Sequence, residues 1–191
     1  AIGRKMGAAL LLDYQSRFNF GSRTGIDLPN ESSGAIYTLD QMKDMELAST
    51  TFGQGFTSTM IQEISAVSAV INGGTYYQPH VVKEIKSQED GSVLKTNEGN
   101  VLKQIVSSDV SEKIREYMGM SVTSGTSRKS KVQGYSMGGK TGTAEILSTK
   151  EKDYLVSFIG FAPLDTPQVV VYVVVDRPNV EEQADSSYAQ Y

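Results

Sequence analysis

A run of seven consecutive apolar residues near the end of the chain restricts its fold more than any other feature of the sequence. Residues 169–175 read VVVYVVV, and β-branched and aromatic residues of this kind are typical of a strand. Since no position in the run is polar, neither face of the strand can lie against water. We therefore expect it in the middle of a sheet that helices cover on both sides. Residues 154–163 predict a neighbouring strand, joined to it by the short turn 164–167.

Helical periodicity supplies the elements that would cover such a sheet. Apolar residues recur at helical spacing in several segments, and the T-x-x-Q sequences at Thr38 and Thr59 are capping boxes that open helices. Gly21 is positioned to end the first helix in a left-handed conformation, and the Asp-Gly pair 90–91 predicts a surface hairpin. The predicted helices cover residues 1–20, 38–48, 59–72 and 108–122, with an exposed loop at 123–132 and the start of a further helix at 185–191. Together these elements predict an α+β fold with an antiparallel sheet covered by helices on both faces.

The segment that carries chemistry is residues 138–145, which read GGKTGTAE. It combines one cation, Lys140, with the hydroxyl groups of Thr141 and Thr143, on a backbone that glycines leave open to close approach. An ammonium group, hydroxyls and accessible backbone N–H groups can bind a carboxylate, a phosphate or a developing oxyanion. The segment therefore predicts an anion site, and the kind of anion decides the function.

One interpretation of this segment is a phosphate-binding P-loop. Residues 134–141 fit G-x-x-x-x-G-K-[ST], and residues 173–176 fit a Walker B strand. A P-loop requires a buried strand before it and a helix after it, whose N-terminus holds the phosphates. Residues 127–133 are too polar for a buried strand, and Gly142 occupies the first turn of the required helix. Both neighbours argue against nucleotide binding.

Composition excludes several further classes of function. The formal net charge is −4 and there is no cysteine, so disulfides and thiolate metal sites are ruled out. Except for the cluster 128–131, the basic residues are scattered along the sequence. This distribution predicts no nucleic-acid partner. The single histidine, His80, has no second ligand nearby and indicates a surface residue rather than a metal site. No apolar run reaches the roughly 20 residues of a membrane span. No cofactor is predicted.

The second interpretation takes residues 140–142 as the K-T-G element of penicillin-recognising serine enzymes, which lies on an edge strand of the active site. K-T-G alone is a weak signal, but nearly the whole chain resembles the transpeptidase domain of class B penicillin-binding proteins. The similar segments are GKTGTA at 139–144, SFIGFAP at 157–163, G-Q-G at 53–55 with Thr59 and Gln62, N-G-G at 72–74, G-T at 125–126 and TGIDLP at 24–29. Met60 stands where the family usually has a proline.

The resemblance implies roles for the residues of the motif. Lys140 would serve the electrostatics and proton traffic of a catalytic site, and Thr141, Gly142 and Thr143 would bind the terminal carboxylate of a substrate or a β-lactam. The backbone N–H of Thr143 would be one of two oxyanion-hole donors. Glu145 lies where many relatives have a glutamine, and an anion there should disfavour strongly anionic acyl donors.

The resemblance also implies that the nucleophile lies outside this sequence. The family attacks a D-Ala-D-Ala stem peptide with the serine of an S-x-x-K motif, and the only such sequence here begins at Ser92, inside the predicted hairpin. No S-x-N triplet occurs. We therefore expect residues 1–191 to be the C-terminal portion of one transpeptidase domain, inactive alone, with the nucleophile and a membrane anchor upstream and an extracytoplasmic location.

The implied partners are the peptidoglycan stem peptide, β-lactam antibiotics, the N-terminal remainder of the same protein and other cell-wall synthesis proteins. The same motif is also compatible with two alternatives. One is a β-lactamase or D,D-carboxypeptidase, and the other is a non-catalytic β-lactam sensor with the same fold. A β-lactamase would deacylate quickly, whereas a transpeptidase stays acylated by β-lactams. An intact S-x-x-K motif upstream would argue against the sensor.

Overall fold

The structure is a computed structural model that describes residues 1–147 and 152–190. The chain divides into two compact units. The first consists of residues 1–51, 55–69 and 75–105, and the second of residues 52–54, 70–74 and the chain from Val106 onward. The expectation of a portion of one domain over residues 1–191 stays a prediction.

The first unit combines helices with two small antiparallel sheets. Its helices are α1 (Ile2–Met6), α2 (Ala8–Arg17), α3 (Asp44–Thr50) and α4 (Met60–Ile71), of which the last two residues belong to the second unit. Its strands are β1 (Thr75–Gln78), β2 (Glu84–Lys86), β3 (Val93–Thr96) and β4 (Asn100–Gln104), paired β1 with β4 and β2 with β3. The side chain of Tyr76 is fully buried at the centre of this unit. The predicted hairpin around the Asp-Gly pair is confirmed as β2 and β3.

The N-terminal segment differs from the single helix predicted over residues 1–20. Gly7 has φ +80° and ψ 162°, a conformation outside the helical region, and this separates α1 from α2. Helix α2 then ends at Arg17, and Asn19 has a positive φ of 67°. Gly21 has the predicted left-handed φ of 77°, but it lies in the following turn rather than at the helix end.

The two predicted capping boxes have different outcomes. At the start of α4, the backbone N–H of Thr59 donates to Gln62 Oε1 at 2.8 Å and the N–H of Gln62 donates to Thr59 Oγ1 at 3.2 Å, as predicted. The N–H of Thr38 also donates to Gln41 Oε1, at 3.0 Å. Residues 39–41 nevertheless form a turn, and α3 begins only at Asp44. The box at Thr38 therefore closes a turn instead of opening a helix.

The second unit contains the predicted antiparallel sheet. Helix α5 (Ser108–Thr123) begins after Ser107, whose side chain accepts the N–H of Val110. Two short 3-10 turns follow, at Arg128–Ser130 and Ser186–Ala189. The strands are β5 (Gly138–Ile146), β6 (Asp153–Ala162) and β7 (Val169–Asp176), in the order β5-β6-β7. Helix α5 packs against β5, and the second 3-10 turn packs against all three strands. The α+β class is confirmed.

The apolar strand lies in a different position from the one predicted. β6 is the central strand and its residues 156–161 are buried, whereas β7 pairs with β6 alone among the described residues. The side chains of Val169 and Val171 are 60% and 57% exposed. The expectation that residues 169–175 form the middle of the sheet is therefore wrong in this structure. The apolar run indicates that the strand must be shielded from water, but it does not indicate which strands lie beside it.

The segment 123–132 is mostly exposed, as predicted, but it buries Ser127 and Ser130. Ser127 is fully buried, and its hydroxyl lies 2.9 Å from that of Ser121 on α5. The hydroxyl of Ser130 donates to the carbonyl oxygen of Ser127 at 2.7 Å. The predicted helix start at 185–191 is a 3-10 turn at Ser186–Ala189, and the end of that prediction lies outside the described residues. No helix in the described part of the chain is long and apolar enough to cross a membrane.

Candidate active-site strand

The K-T-G residues lie in the middle of β5, which forms an edge of the three-stranded sheet. β5 pairs antiparallel with β6, and Lys140, Thr141 and Thr143 stand opposite Ile159, Phe158 and Val156. Within the described ranges, no strand pairs with the other side of β5. The predicted edge-strand position of the motif is confirmed. A strand edge of this kind is where an extended peptide can add to a sheet.

This geometry excludes the P-loop interpretation. Lys140 and Thr141 continue a β-strand that runs to Ile146, so no helix N-terminus follows the lysine. The residues before the motif form a short 3-10 turn and a loop rather than a buried strand. The two elements that hold a nucleotide phosphate in a P-loop are both absent from this described segment.

The glycines of the motif make room for β6 rather than for a ligand. A Cβ atom on Gly138 would lie 2.5 Å from Cζ of Phe161, and one on Gly139 would lie 2.5 Å from Cζ of Phe158. Both glycines are buried. A Cβ on Gly142 would lie 2.6 Å from the hydroxyl oxygen of Ser157. The initial interpretation, that these glycines leave the backbone open to an anion, is therefore wrong for Gly138 and Gly139, which face aromatic rings.

The two threonine hydroxyls of the motif lie on one face of β5, because alternate residues of a strand point the same way. The hydroxyl of Thr141 donates to Thr126 Oγ1 at 3.4 Å, and the hydroxyl of Thr143 donates to the carbonyl oxygen of Ala184 at 3.3 Å. Both bonds are long and exposed, so an incoming acceptor can replace them at small cost. The two hydroxyls can thus converge on a single anionic group above the strand.

Lys140 lies on the opposite face of β5 from these hydroxyls and is exposed. Its Nζ donates to the carbonyl oxygen of Thr141 at 2.8 Å. Glu145 lies on the threonine face and is exposed, four residues beyond Thr141. The strand therefore presents two hydroxyls in its middle and a carboxylate towards its end.

Two further residues, Thr126 and Gln190, connect to the motif through hydrogen bonds. Thr126, in the loop after α5, receives the Thr141 hydroxyl, and Gln190 Nε2 donates to the carbonyl oxygen of Thr126 at 3.3 Å. The Gly-Thr pair at 125–126 was a signal for the first, because it falls in the order of segments shared with the class B enzymes. Gln190 carried no signal, since its contact joins residues 64 positions apart.

The remaining candidate residues, Ser92 and His80, are distant from the motif in sequence and belong to the first unit. Ser92 belongs to the first unit, and its hydroxyl donates to Asp90 Oδ1 at 2.7 Å. Lys95 lies on strand β3, which begins one residue after Ser92, whereas the S-x-x-K pair of a nucleophile helix shares one helix face. His80 is exposed, and no group of three or more potential metal ligands occurs among the described residues.

Comparisons with known proteins agree with this arrangement. The family described as "Penicillin binding protein transpeptidase domain" matches residues 1–191. Stage V sporulation protein D of Bacillus subtilis is 42% identical over 180 residues, which are 93% of this chain and 28% of that protein. Peptidoglycan D,D-transpeptidase MrdA of Acinetobacter baumannii is 30% identical over 196 residues, which are 91% of this chain and 29% of that protein. The chain thus spans less than a third of the length of these relatives.

Solved structures give the same result. Penicillin binding protein 3 from Mycobacterium tuberculosis, in complex with aztreonam, superposes with a TM-score of 0.82 at 27% identity, over 95% of this chain and 43% of that one. A peptidoglycan synthetase from Bifidobacterium adolescentis superposes with a TM-score of 0.85 at 26% identity, over 98% of this chain and 35% of that one. In its fold and in the edge position of the K-T-G strand, the chain resembles the transpeptidase domains of penicillin-binding proteins. More narrowly, the chain belongs to the penicillin-binding protein transpeptidase domain family.

Proposed function

We propose that this chain is part of a peptidoglycan D,D-transpeptidase that cross-links stem peptides through a serine acyl-enzyme and is acylated by β-lactams. The observation that carries the proposal is the K-T-G sequence on an edge strand, with the hydroxyls of Thr141 and Thr143 on one face. Membership of the transpeptidase family supports it, as does the name of MrdA, a peptidoglycan D,D-transpeptidase.

In this proposal, the two hydroxyls bind the terminal carboxylate of the acyl donor. Thr141 and Thr143 give up their long bonds to Thr126 and Ala184 and donate to the carboxylate instead. An extended donor lies antiparallel to the free edge of β5, with Gly142 in the substrate-binding stretch between the two threonines. This arrangement fixes the scissile carbonyl relative to the strand.

The strand also stabilises the transition state. The backbone N–H of Thr143 is one of two donors to the oxyanion, a contact whose loss typically raises the barrier by about 2.7–4 kcal/mol. Lys140 provides a positive potential and a proton path for the nucleophile. In the described structure its ammonium group bonds to the backbone of its own strand, so it changes partner when the site is complete.

The attacking serine is proposed to come from sequence outside these residues. Ser92 bonds to Asp90 in an exposed hairpin, where no helix aligns it with Lys95. We also propose that the N-terminal remainder of the protein supplies the serine and a membrane anchor, and that the domain lies outside the cytoplasm. The stem peptide, β-lactams and other cell-wall synthesis proteins are its proposed partners.

Labelling with a fluorescent penicillin tests this proposal. The full-length protein is expected to be labelled covalently, whereas residues 1–191 alone are expected to remain unlabelled. Label on Ser92 of the isolated chain would contradict the assignment of the nucleophile, and an unlabelled full-length protein would support a non-catalytic module. The rate at which the label is lost distinguishes a transpeptidase from a β-lactamase. A β-lactamase hydrolyses its acyl-enzyme quickly, whereas a transpeptidase retains the acyl group.

A further inference from the structure

The hydroxyl group of Thr126 lies beside the threonine face of β5, and the function proposed above gives it no contact with the substrate. Its oxygen is 3.4 Å from the hydroxyl oxygen of Thr141 and accepts that hydrogen. Among the bonds described for Thr126, none uses its own hydroxyl hydrogen. Thr126 is exposed, so a ligand on this face of the strand can reach that hydrogen.

Two hydroxyls at this separation can bind one carboxylate together. A carboxylate has two oxygens with about four lone-pair positions, and a hydroxyl donor lies about 2.5–3.0 Å from its acceptor. A single acceptor oxygen can lie within that distance of both hydroxyls, because they are only 3.4 Å apart. When Thr141 turns its hydrogen towards a ligand, Thr126 loses only a long bond and can turn its own hydrogen towards the same ligand.

The loop that carries Thr126 is fixed on one side by the last turn of α5. The N–H groups of Gly125 and Ser127 both donate to the carbonyl oxygen of Ser121, each at 3.1 Å. A Cβ atom on Gly125 would lie 2.8 Å from Cα of Ser121, so the loop packs directly on the helix. Ser127 is fully buried. Both neighbours of Thr126 are therefore held in place.

Gln190 fixes the same loop from the other side. Its Nε2 donates to the carbonyl oxygen of Thr126 at 3.3 Å, and the residue is only 8% exposed. The N–H of Gln190 donates to the carbonyl oxygen of Ser187 at 3.0 Å, which ties it to the second 3-10 turn. Because that turn packs against β5, β6 and β7, the side chain of Gln190 connects the Thr126 loop to the sheet that carries the motif.

We propose that Thr126 is a third hydroxyl donor to the terminal carboxylate of the acyl donor, and that Gln190 is the positioning residue that holds Thr126 in place for it. The inference rests on the proposed transpeptidase function, and it adds two residues to the site that binds the substrate. Thr126 touches the carboxylate, whereas Gln190 acts only through Thr126.

The test uses the full-length protein and two thioester acyl donors with the same acyl group. The leaving thiol is mercaptoacetate in one donor, which places a carboxylate beyond the scissile bond, and mercaptoacetamide in the other. The variants are Thr126→Val, which removes the hydroxyl at constant size, Gln190→Met, which removes the amide donor, and the double variant. Values of kcat and KM are measured for each donor.

The matched control is Gln183→Met. Gln183 lies in the same terminal segment, and its side chain also bonds to the backbone of the sheet, since its Oε1 accepts the N–H of Tyr154 at 3.1 Å. That bond does not involve the Thr126 loop. This control is expected to keep the wild-type preference between the two donors.

Thr126→Val is expected to lower kcat/KM for the carboxylate donor about tenfold, as the loss of a hydrogen bond to a charged group does, mainly through a higher KM. Gln190→Met is expected to lower it about fivefold. The double variant should be no slower than Thr126→Val alone, because both changes remove the same contact. The carboxamide donor should lose about threefold or less in each variant, since a neutral acceptor forms a weaker bond.

Equal losses for the two donors, unchanged rates, or losses that multiply in the double variant would overturn the inference, and so would a shift in donor preference in Gln183→Met. If thermal unfolding shows that Gln190→Met does not fold, Thr126→Ser decides in its place. It keeps the hydroxyl and should keep most of the rate, and a serine variant as slow as the valine variant contradicts the role of Thr126. A wild-type protein that neither donor acylates would instead contradict the transpeptidase function itself.

Discussion

The hydroxyl group of Thr143 donates a hydrogen bond to the carbonyl oxygen of Ala184, 3.3 Å away and 41 residues further along the chain. This bond joins the K-T-G strand to the segment that leads into the last 3-10 turn. The Thr141 hydroxyl makes the corresponding contact with Thr126 on the loop after α5. Hydrogen bonds thus connect the motif to two segments that lie far from it in sequence, and only the Gly-Thr pair at 125–126 carried a sequence signal.

Thr143→Ala is expected to lower the rate constant of acylation by a β-lactam roughly 10-fold or more in the full-length protein. The reason is the loss of a hydrogen bond to a charged group, which is worth about 1.5–3 kcal/mol. Thr143→Ser keeps the hydroxyl and should retain most of the rate. Stopped-flow acylation kinetics measure both. An alanine variant as fast as the serine variant would remove the hydroxyl from carboxylate binding.

Glu145→Gln is expected to raise the acylation rate constant for anionic β-lactams. Its carboxylate lies exposed on the threonine face of β5, and its removal takes away a repulsion of about 1 kcal/mol or less, that is, up to about fivefold in rate. The experiment compares a β-lactam that carries an extra carboxylate with an uncharged analogue, and only the first should respond. If neither rate changes, Glu145 does not influence the choice of acyl donor.

Gly138→Ala is expected to destabilise the protein by about 1–3 kcal/mol, as overpacked cores do. The new Cβ would lie 2.5 Å from Cζ of Phe161 in β6 and 3.1 Å from Leu164 Cδ1. Phe161→Leu should recover part of that loss, so the two changes are coupled in a double-mutant cycle followed by denaturant unfolding. Strictly additive free energies would show that the ring of Phe161 is not what excludes a side chain at Gly138.

Gln62→Leu is expected to cost about 3 kcal/mol of unfolding free energy. Gln62 is fully buried, and its Nε2 donates to the carbonyl oxygens of Asn19, Ser22 and Ser33 at 3.1, 2.7 and 2.8 Å. A leucine would remove this donor from all three carbonyls. The carbonyl of Asn19 still accepts the N–H of Ser22 at 3.4 Å, and Ser22 is exposed, so the cost stays near that of a single unsatisfied buried group, about 1–3 kcal/mol.

The control for this variant is Gln41→Leu in the other capping box. Gln41 is exposed and its side chain accepts only from the N–H of Thr38 among the bonds described for it, so its loss should cost about 1 kcal/mol or less. Equal effects of the two substitutions in urea denaturation would show that the buried contacts of Gln62 contribute nothing beyond the cap.

The part of the fold that local chemistry determines could be predicted from the sequence. The capping box at Thr59, the hairpin at the Asp-Gly pair and the strands on both sides of 164–167 depend on neighbours a few residues away. The family resemblance further predicted the edge position of the K-T-G strand. The position of β7 in the sheet could not be predicted, because an apolar run indicates that the strand must be shielded from water but does not indicate the order of the strands. The break at Gly7 was also missed, since the apolar spacing on either side of it continues.

The candidate site shows the same division. Lys140, Thr141 and Thr143 could be identified from the motif, and so could Glu145. The contacts that complete the site, from Thr126, Ala184 and Gln190, join segments 15–64 positions apart and follow from the packing of the last 3-10 turn on the sheet. Apart from the Gly-Thr pair at 125–126, these long-range contacts have no local pattern, so only the structure reveals them.

A crystal structure of the full-length protein acylated by a β-lactam would show directly whether Thr141 and Thr143 bind the carboxylate of the acyl donor. The carboxylate of the bound drug is expected to accept hydrogen bonds of about 2.7–3.2 Å from the hydroxyls of both Thr141 and Thr143, which then no longer bond to Thr126 and Ala184. A drug carboxylate held elsewhere, with the Thr141–Thr126 and Thr143–Ala184 bonds intact, would contradict this role of the two threonines.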